Sequence, residues 1–300
     1  MKKVDFSPLN SERIDNLRKE YLDQILAHPV CRKFIDKYDI KEDEINRNTS
    51  KFVKVIEDHK ICANCPGLNN CPKALKGIHF ELDLDEDTDD IILIYSPCDD
   101  EFQHLALESK YLIRDFPDSY LEYNVRDFLQ NKDYLDVRKE VFKHLKTNLT
   151  SEGIFLHGNR MTGKTFILAV YSQHYIKEGY GTVAFVDAPS EIKHLNDLNF
   201  SSKESFAKRL NELMDVDLLV LDDFGNEYKN EFIRDTIVYP LLDYRLKNNK
   251  LTWFTSSYKL DEITQMYTLK ERYSPKANQL VSVIKGLAKE VFLGGTKFRK

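Results

Sequence analysis

Gly158, Asn159, Arg160, Met161, Thr162, Gly163, Lys164 and Thr165 match the spacing G-x-x-x-x-G-K-[ST]. Glycines let such a loop wrap until its backbone N–H groups point inward at phosphate oxygens, and the helix that follows adds the positive end of its dipole. Lys164 is expected to bridge the β- and γ-phosphates of a nucleoside triphosphate, and Thr165 to offer its hydroxyl to Mg²⁺. Position supports the match: the apolar run Ile154 to His157 precedes the loop, and the apolar helix pattern Phe166 to Tyr171 follows it. Farther on, the buried-strand run Leu218 to Leu221 ends in two acids. Asp222 is the expected Mg²⁺ partner, reached through water, and Asp223 the base that orients an attacking water. A third run, Leu251 to Thr255, ends in Thr255, Ser256 and Ser257, where a polar residue could sense the γ-phosphate or position the water.

A second cluster has a different chemistry. Cys62-x-x-Cys65 gives two thiolates the tight turn that grips one tetrahedral ion, and Cys71 follows in the same loop. His79 is the expected fourth ligand, with His59 and Cys98 as rivals that spacing does not exclude. The neighbours Asn64, Pro66, Gly67, Asn69 and Asn70 cannot build an apolar core, so a structural Zn²⁺ is expected to order the loop. With no export signal in the chain, the cysteines are not read as a disulfide framework.

These residues need elements to hold them. Leu17, Tyr21, Leu22, Ile25 and Leu26 form a helical stripe over Ser11 to Ala27, and helix patterns recur near Cys31 to Tyr38 and Lys41 to Glu57. After the cysteine loop, His79 to Leu84 and Ile91 to Tyr95 read as a hairpin with an acidic tip at Asp85 to Asp90. A boundary is placed near residue 105, giving domains 1–105 and 106–300, with mixed helical segments from Tyr111 to Leu149. Beyond Ser151, four short strands (Ile154 to His157, Thr182 to Val186, Leu218 to Leu221, Leu251 to Thr255) alternate with helices. That is the signature of an α/β parallel sheet flanked by helices. A helical region at Leu280 to Ala288 and a strand at Val291 to Leu293 leave little room for a full helical lid.

Composition bounds the partners. Of 300 residues, 42% are hydrophobic, enough for two cores. Lys+Arg 44 against Asp+Glu 49 gives a net charge of −5, so any nucleic-acid contact must be local. Lys297, Arg299 and Lys300 could supply such contacts, although charged tails are more often solvated. No uninterrupted apolar run of membrane-spanning length occurs, and a cytoplasmic location is expected.

Taken together, the cysteine and histidine spacing, GNRMTGKT, Leu221-Asp-Asp-Phe-Gly-Asn-Glu227 and Arg234-Asp235 resemble the DnaC/DnaI helicase loaders, a branch of the AAA+ ATPases. The resemblance spans most of the chain. It implies an AAA+ domain that binds ATP and single-stranded DNA and self-associates, behind an N-terminal zinc domain that holds the hexameric replicative helicase. Carried over, Lys164 and Thr165 bind phosphate and Mg²⁺, Asp222 and Asp223 form the acidic pair, and Cys62, Cys65, Cys71 and His79 hold zinc. Arg245, in the helix before the fourth strand, becomes the candidate arginine finger for a neighbouring subunit's γ-phosphate. Departures also matter: Ser257 replaces the family's sensor asparagine, and Gln279 and Val283 replace arginines near the C-terminus. One lost transition-state contact costs about 3 kcal/mol, roughly a hundredfold in rate, so tight ATP binding with slow hydrolysis is expected. Two other readings fit the same motifs, an AAA+ regulator of another DNA machine of transposition or phage type, and an ATP-switched zinc adaptor with little hydrolysis. Metal analysis of the purified chain should return near-stoichiometric zinc; a content well below that would remove the Cys₃His site.

Overall fold

The computed structural model describes residues 11–126, 132–269 and 274–294; Lys297, Arg299 and Lys300 lie outside them. The chain divides into two units, Met1–Ala106 and Leu107–Lys300. No helix among the described residues is long and apolar enough to cross a membrane.

In the first unit the predicted stripes become α1 (Ser11–Ala27), α2 (Pro29–Tyr38) and α3 (Glu42–Cys62). Pro29 opens α2 at a position where its missing N–H costs nothing. Glu42, Asp43 and Glu44 face the positive end of the α3 dipole. Ile25, Phe34, Ile45, Phe52 and Val55 form the core with Cys31, whose thiol burial pushes up to about 11. Leu17 and Tyr21 stay exposed, so only the end of the α1 stripe is buried. The antiparallel hairpin β1 (Ile78–Leu84) and β2 (Ile91–Pro97) pairs Leu84 with Ile91. Its acidic tip is a closed turn: the Asp85 carboxylate accepts the N–H groups of Asp87 and Thr88 at 3.0 Å each. The chain around the boundary expected near residue 105 is helical, α4 (Asp99–Glu108).

In the second unit all strand pairs are parallel. The sheet contains β3 (Tyr111–Arg114), β4 (Gly153–His157), β5 (Val183–Asp187), β6 (Leu218–Asp222), β7 (Leu251–Ser256) and β8 (Ala288–Phe292), in the order β3-β5-β6-β7-β4-β8. Strand β3 corrects the helical reading after Tyr111; four residues are too few for a period to show, and pairing with Val183 at the sheet edge decides it. Alternate residues serve opposite faces. Phe155, Leu219, Leu221 and Phe254 enter one core, while Ile154, Leu156, Val220 and Trp253 enter the other.

Helices cover both faces: α5 (Lys132–Thr147), α6 (Lys164–Lys177), α7 (Ala188–Ser201), α8 (Lys203–Asp215), α9 (Tyr239–Lys247), α10 (Leu260–Thr268) and α11 (Pro275–Leu287). A π-helical turn, Ile233–Val238, leads into α9. Leu260 and Ile263 of α10 and Leu280 and Ile284 of α11 belong to the main core, so these helices pack on the sheet rather than forming a lid. Val283 also lies in that core, and Gln279 is exposed. The chain then returns as β8 beside β4. Gly153 permits that closeness, since a Cβ there would sit 2.5 Å from the Leu287 carbonyl oxygen and 3.2 Å from Ala288 Cβ.

Arg245 is not available as an arginine finger. Its side chain is fully buried, donating to the carbonyl oxygens of Leu213 (2.8 Å), Val216 (2.9 Å) and Leu251 (2.6 Å) and to Thr252 Oγ1 (2.9 Å). Burial lowers its pKa to about 9. The guanidinium fastens the end of α8 to the start of β7, a structural task. Arg245→Met should therefore lower the stability of the chain by about 3–5 kcal/mol by stranding these acceptors, read as a drop in thermal midpoint; a midpoint unchanged from wild type would contradict this role.

Candidate nucleotide site

The loop lies where β4 ends and α6 begins, and its backbone adopts the conformations its glycines predict. Gly163 has φ 92° as the residue before α6, and Gly158 has φ 152° with no room for a Cβ, which would meet the Leu293 carbonyl oxygen at 2.3 Å. Met161 holds φ 64° without being glycine and points its side chain outward, 61% exposed. Thr162 closes the turn by donating to the Asn159 carbonyl oxygen at 3.0 Å.

Lys164 is buried. Its Nζ donates to the carbonyl oxygens of Gly158 (2.9 Å) and Asn159 (2.8 Å), which holds the ammonium inside the loop. Burial lowers its pKa, and Asp223 and Asp222 oppose that shift. Such a cation, desolvated and without a bonded carboxylate, is matched to an anionic ligand.

Asp222 is the meeting point of three elements. Its carboxylate accepts Thr165 Oγ1 at 3.0 Å on both oxygens and Thr255 Oγ1 at 2.5 Å. Burial raises its pKa first of all, and the two hydroxyl donors work against the rise. A hydroxyl from the loop and a carboxylate from β6 thus share one spot, the donor set a hard cation such as Mg²⁺ takes. Asp223 follows at φ 56°, with its N–H on Thr255 Oγ1 at 2.9 Å.

Ser257 comes one residue after Ser256, whose carbonyl oxygen accepts the Gly158 N–H at 3.2 Å. The Ser257 hydroxyl is buried and makes no hydrogen bond among the described residues. Asn226 escaped the sequence reading, and Thr255 entered it only as one of three polar residues at a strand end, with no bond to the acids foreseen. Thr255 bridges the two acids, and Asn226 Nδ2 donates to Asp223 Oδ1 at 2.7 Å. The only sequence signal for Thr255 was a run of hydroxyls ending an apolar strand.

In the first unit, Cys62, Cys65, Cys71 and His79 line one cavity of about 360 Å³ together with His59 and Cys98. Cys62 ends α3, and the Cys65 N–H returns to its carbonyl oxygen at 3.1 Å, giving the expected tight turn. Backbone N–H groups of Gly77 and Lys73 lower the Cys71 pKa and favour its thiolate. His79 Nε2 pairs with Glu81 at 2.6 Å, and His59 Nε2 is buried without a hydrogen bond. The donor set suits zinc, yet among the described residues no three of these groups converge into a metal-holding cluster. The loop also has a polar anchor: Lys73 Nζ lies 2.7 Å from the buried Asp58 carboxylate and 3.0 Å from the Ile78 carbonyl oxygen.

No family model matches the chain. Over 276 residues it is 26% identical to the replicative helicase loader DnaI of Bacillus subtilis, covering 87% of this chain and 85% of that protein. The chain resembles a replicative helicase loader. Two solved structures share the fold: one of DnaI, with TM-score 0.53 and 23% identity over 63% of this chain and 100% of that one. The other is a candidate primosome component from Streptococcus pyogenes serotype M3, with TM-score 0.50 and 20% identity over 66% of this chain and 100% of that one.

Because the Asp222 shift is upward, the ionised carboxylate costs the nucleotide-free fold stability at neutral pH. Asp222→Asn should leave that fold at least as stable as wild type in thermal unfolding. It should also remove most of the roughly 2.7 kcal/mol that Mg²⁺ and ATP add to wild type at a hundredfold excess over Kd. Full retention of the ligand-induced shift would contradict the assignment.

Proposed function

We propose that this chain is an ATP-dependent loader that binds the replicative DNA helicase and delivers it to single-stranded DNA. The observation that carries the reading is the extent of similarity to the Bacillus subtilis loader. At 87% of the chain it is too long to be confined to either unit, since the second holds only 300 − 106 = 194 residues. The first unit is then the helicase-binding part. Zinc would be held there by Cys62, Cys65, Cys71 and His79 and would lock the loop after α3.

In the second unit, Lys164 and the N–H groups of Gly158 to Thr165 would hold the ATP phosphates. Thr165 and Asp222 would hold Mg²⁺, which neutralises phosphate charge when bound. Asp223 orients the attacking water, and Ser257 donates its unused hydroxyl toward the phosphate end. A serine hydroxyl reaches less far than an asparagine amide, and no arginine finger comes from Arg245, so hydrolysis by the chain alone is slow. Self-association around the helicase ring remains part of the proposal, with some residue other than Arg245 at the contact.

Contact with single-stranded DNA finds support in exposed aromatics. Phe200, 76% exposed at the end of α7, packs against Phe232 with ring centroids 5.9 Å apart and planes tilted by 33°, and Tyr228, 75% exposed, stands in the loop after β6. Bases stack on such rings whatever their sequence.

The reading is tested with the full-length chain, loaded with zinc and ATP, as bait for the purified replicative helicase of the same organism. Capture is expected, with at least a tenfold loss of affinity (about 1.4 kcal/mol) for Cys65→Ser. Failure of the wild type to retain the helicase would sink the loader reading.

A further inference from the structure

The loop after β6 does more than present two acids. It is tightly held: the Phe224 N–H meets the Thr255 carbonyl oxygen at 2.8 Å, and the Gly225 N–H meets Glu227 Oε2 at 2.7 Å. Glu227 is itself buried and accepts Tyr267 OH at 2.7 Å. Asn226 is therefore fixed by its neighbours, and its backbone N–H closes a turn onto the Asp223 carbonyl oxygen at 3.2 Å. Its side chain faces two ways. Nδ2 donates to Asp223 Oδ1 at 2.7 Å, and Oδ1 accepts Tyr258 OH at 3.2 Å, which sets the orientation of the amide. Tyr258 lies two residues past Ser256, whose carbonyl oxygen accepts the Gly158 N–H of the cradle at 3.2 Å. The relay Asp223–Asn226–Tyr258 thus joins the candidate base to the end of β7.

We propose that Asn226 is a positioning residue that restrains the Asp223 carboxylate and holds ATP hydrolysis below the rate the cradle would otherwise support. The proposal rests on the reading of Asp223 as the group that orients water. A neutral amide that donates to a carboxylate occupies one of its acceptor sites, so that oxygen is not free to take a hydrogen bond from water. It also ties that oxygen to its own loop, and Tyr258 keeps the amide from turning away.

The test is steady-state hydrolysis of ATP with Mg²⁺ by the full chain, with nucleotide binding followed separately by a fluorescent ATP analogue. Asn226→Ala should raise kcat about fivefold, the rate equivalent of one ordinary hydrogen bond, and leave KM within about twofold. Tyr258→Phe should raise kcat in the same direction by less, and it decides the matter if Asn226→Ala does not fold. In an Asp223→Asn background the Asn226→Ala gain should vanish, an outcome that a purely structural role for Asn226 would not produce. Binding of the analogue with kcat unchanged or lowered in both variants, or the same gain without Asp223, overturns the proposal alone. A wild type that fails to bind the analogue overturns the ATP-site reading, and this proposal with it.

Discussion

The second unit depends on one buried carboxylate. Asp222 ends β6 in a place where ionisation is costly, and the hydroxyls of Thr165 and Thr255 offset that cost by donating to it. Thr165 opens the helix after the phosphate loop, and Thr255 sits in β7, the strand between β6 and β4. The contact therefore ties together the loop, the acid pair and the strand end that carries Ser257. It requires parallel strands in this order, because only then do the C-terminal ends of β4, β6 and β7 gather on one edge of the sheet.

Compensation for buried charge recurs away from the site. Arg245 has no bonded carboxylate, yet its guanidinium finds six carbonyl or hydroxyl acceptors between α8 and β7 within hydrogen-bond distance. In the first unit, Asp58 and Lys73 form a buried pair that fastens the cysteine loop to α3 and β1. Such pairs add little net stability but demand one geometry, because losing either partner strands the other. The loop is thus anchored by polar contacts that a reading centred on zinc did not include.

The two candidate sites differ in how far their geometry is formed. In the nucleotide site the ammonium is already held by the loop carbonyls, and the Thr165 hydroxyl already stands at hydrogen-bond distance from the Asp222 carboxylate, so a phosphate and a cation meet prepared groups. In the cysteine cavity the groups share walls without converging. That contrast follows from scaffolding: the first site hangs on strand ends and a helix start, the second largely on a loop without a regular element of more than three residues.

The sequence by itself determined the cradle, the acid pair, the three N-terminal helices, the hairpin and the four central strands. Each of these is local: a fixed glycine and lysine spacing, a period of residues, or an apolar run of strand length. Strand β3 was lost because four residues carry no period, and its identity comes from a partner far along the chain. Arg245 was misread because a charge on a helix is exposed in most proteins, and only the packing of α8 against β7 supplies the acceptors that bury it. Val283 likewise proved to be a core residue. The roles of Thr255 and Asn226 belonged to the tertiary structure alone, since they consist of hydrogen bonds to Asp222 and Asp223. Residue types state which bonds can form, and the fold decides which groups come within 3 Å of each other.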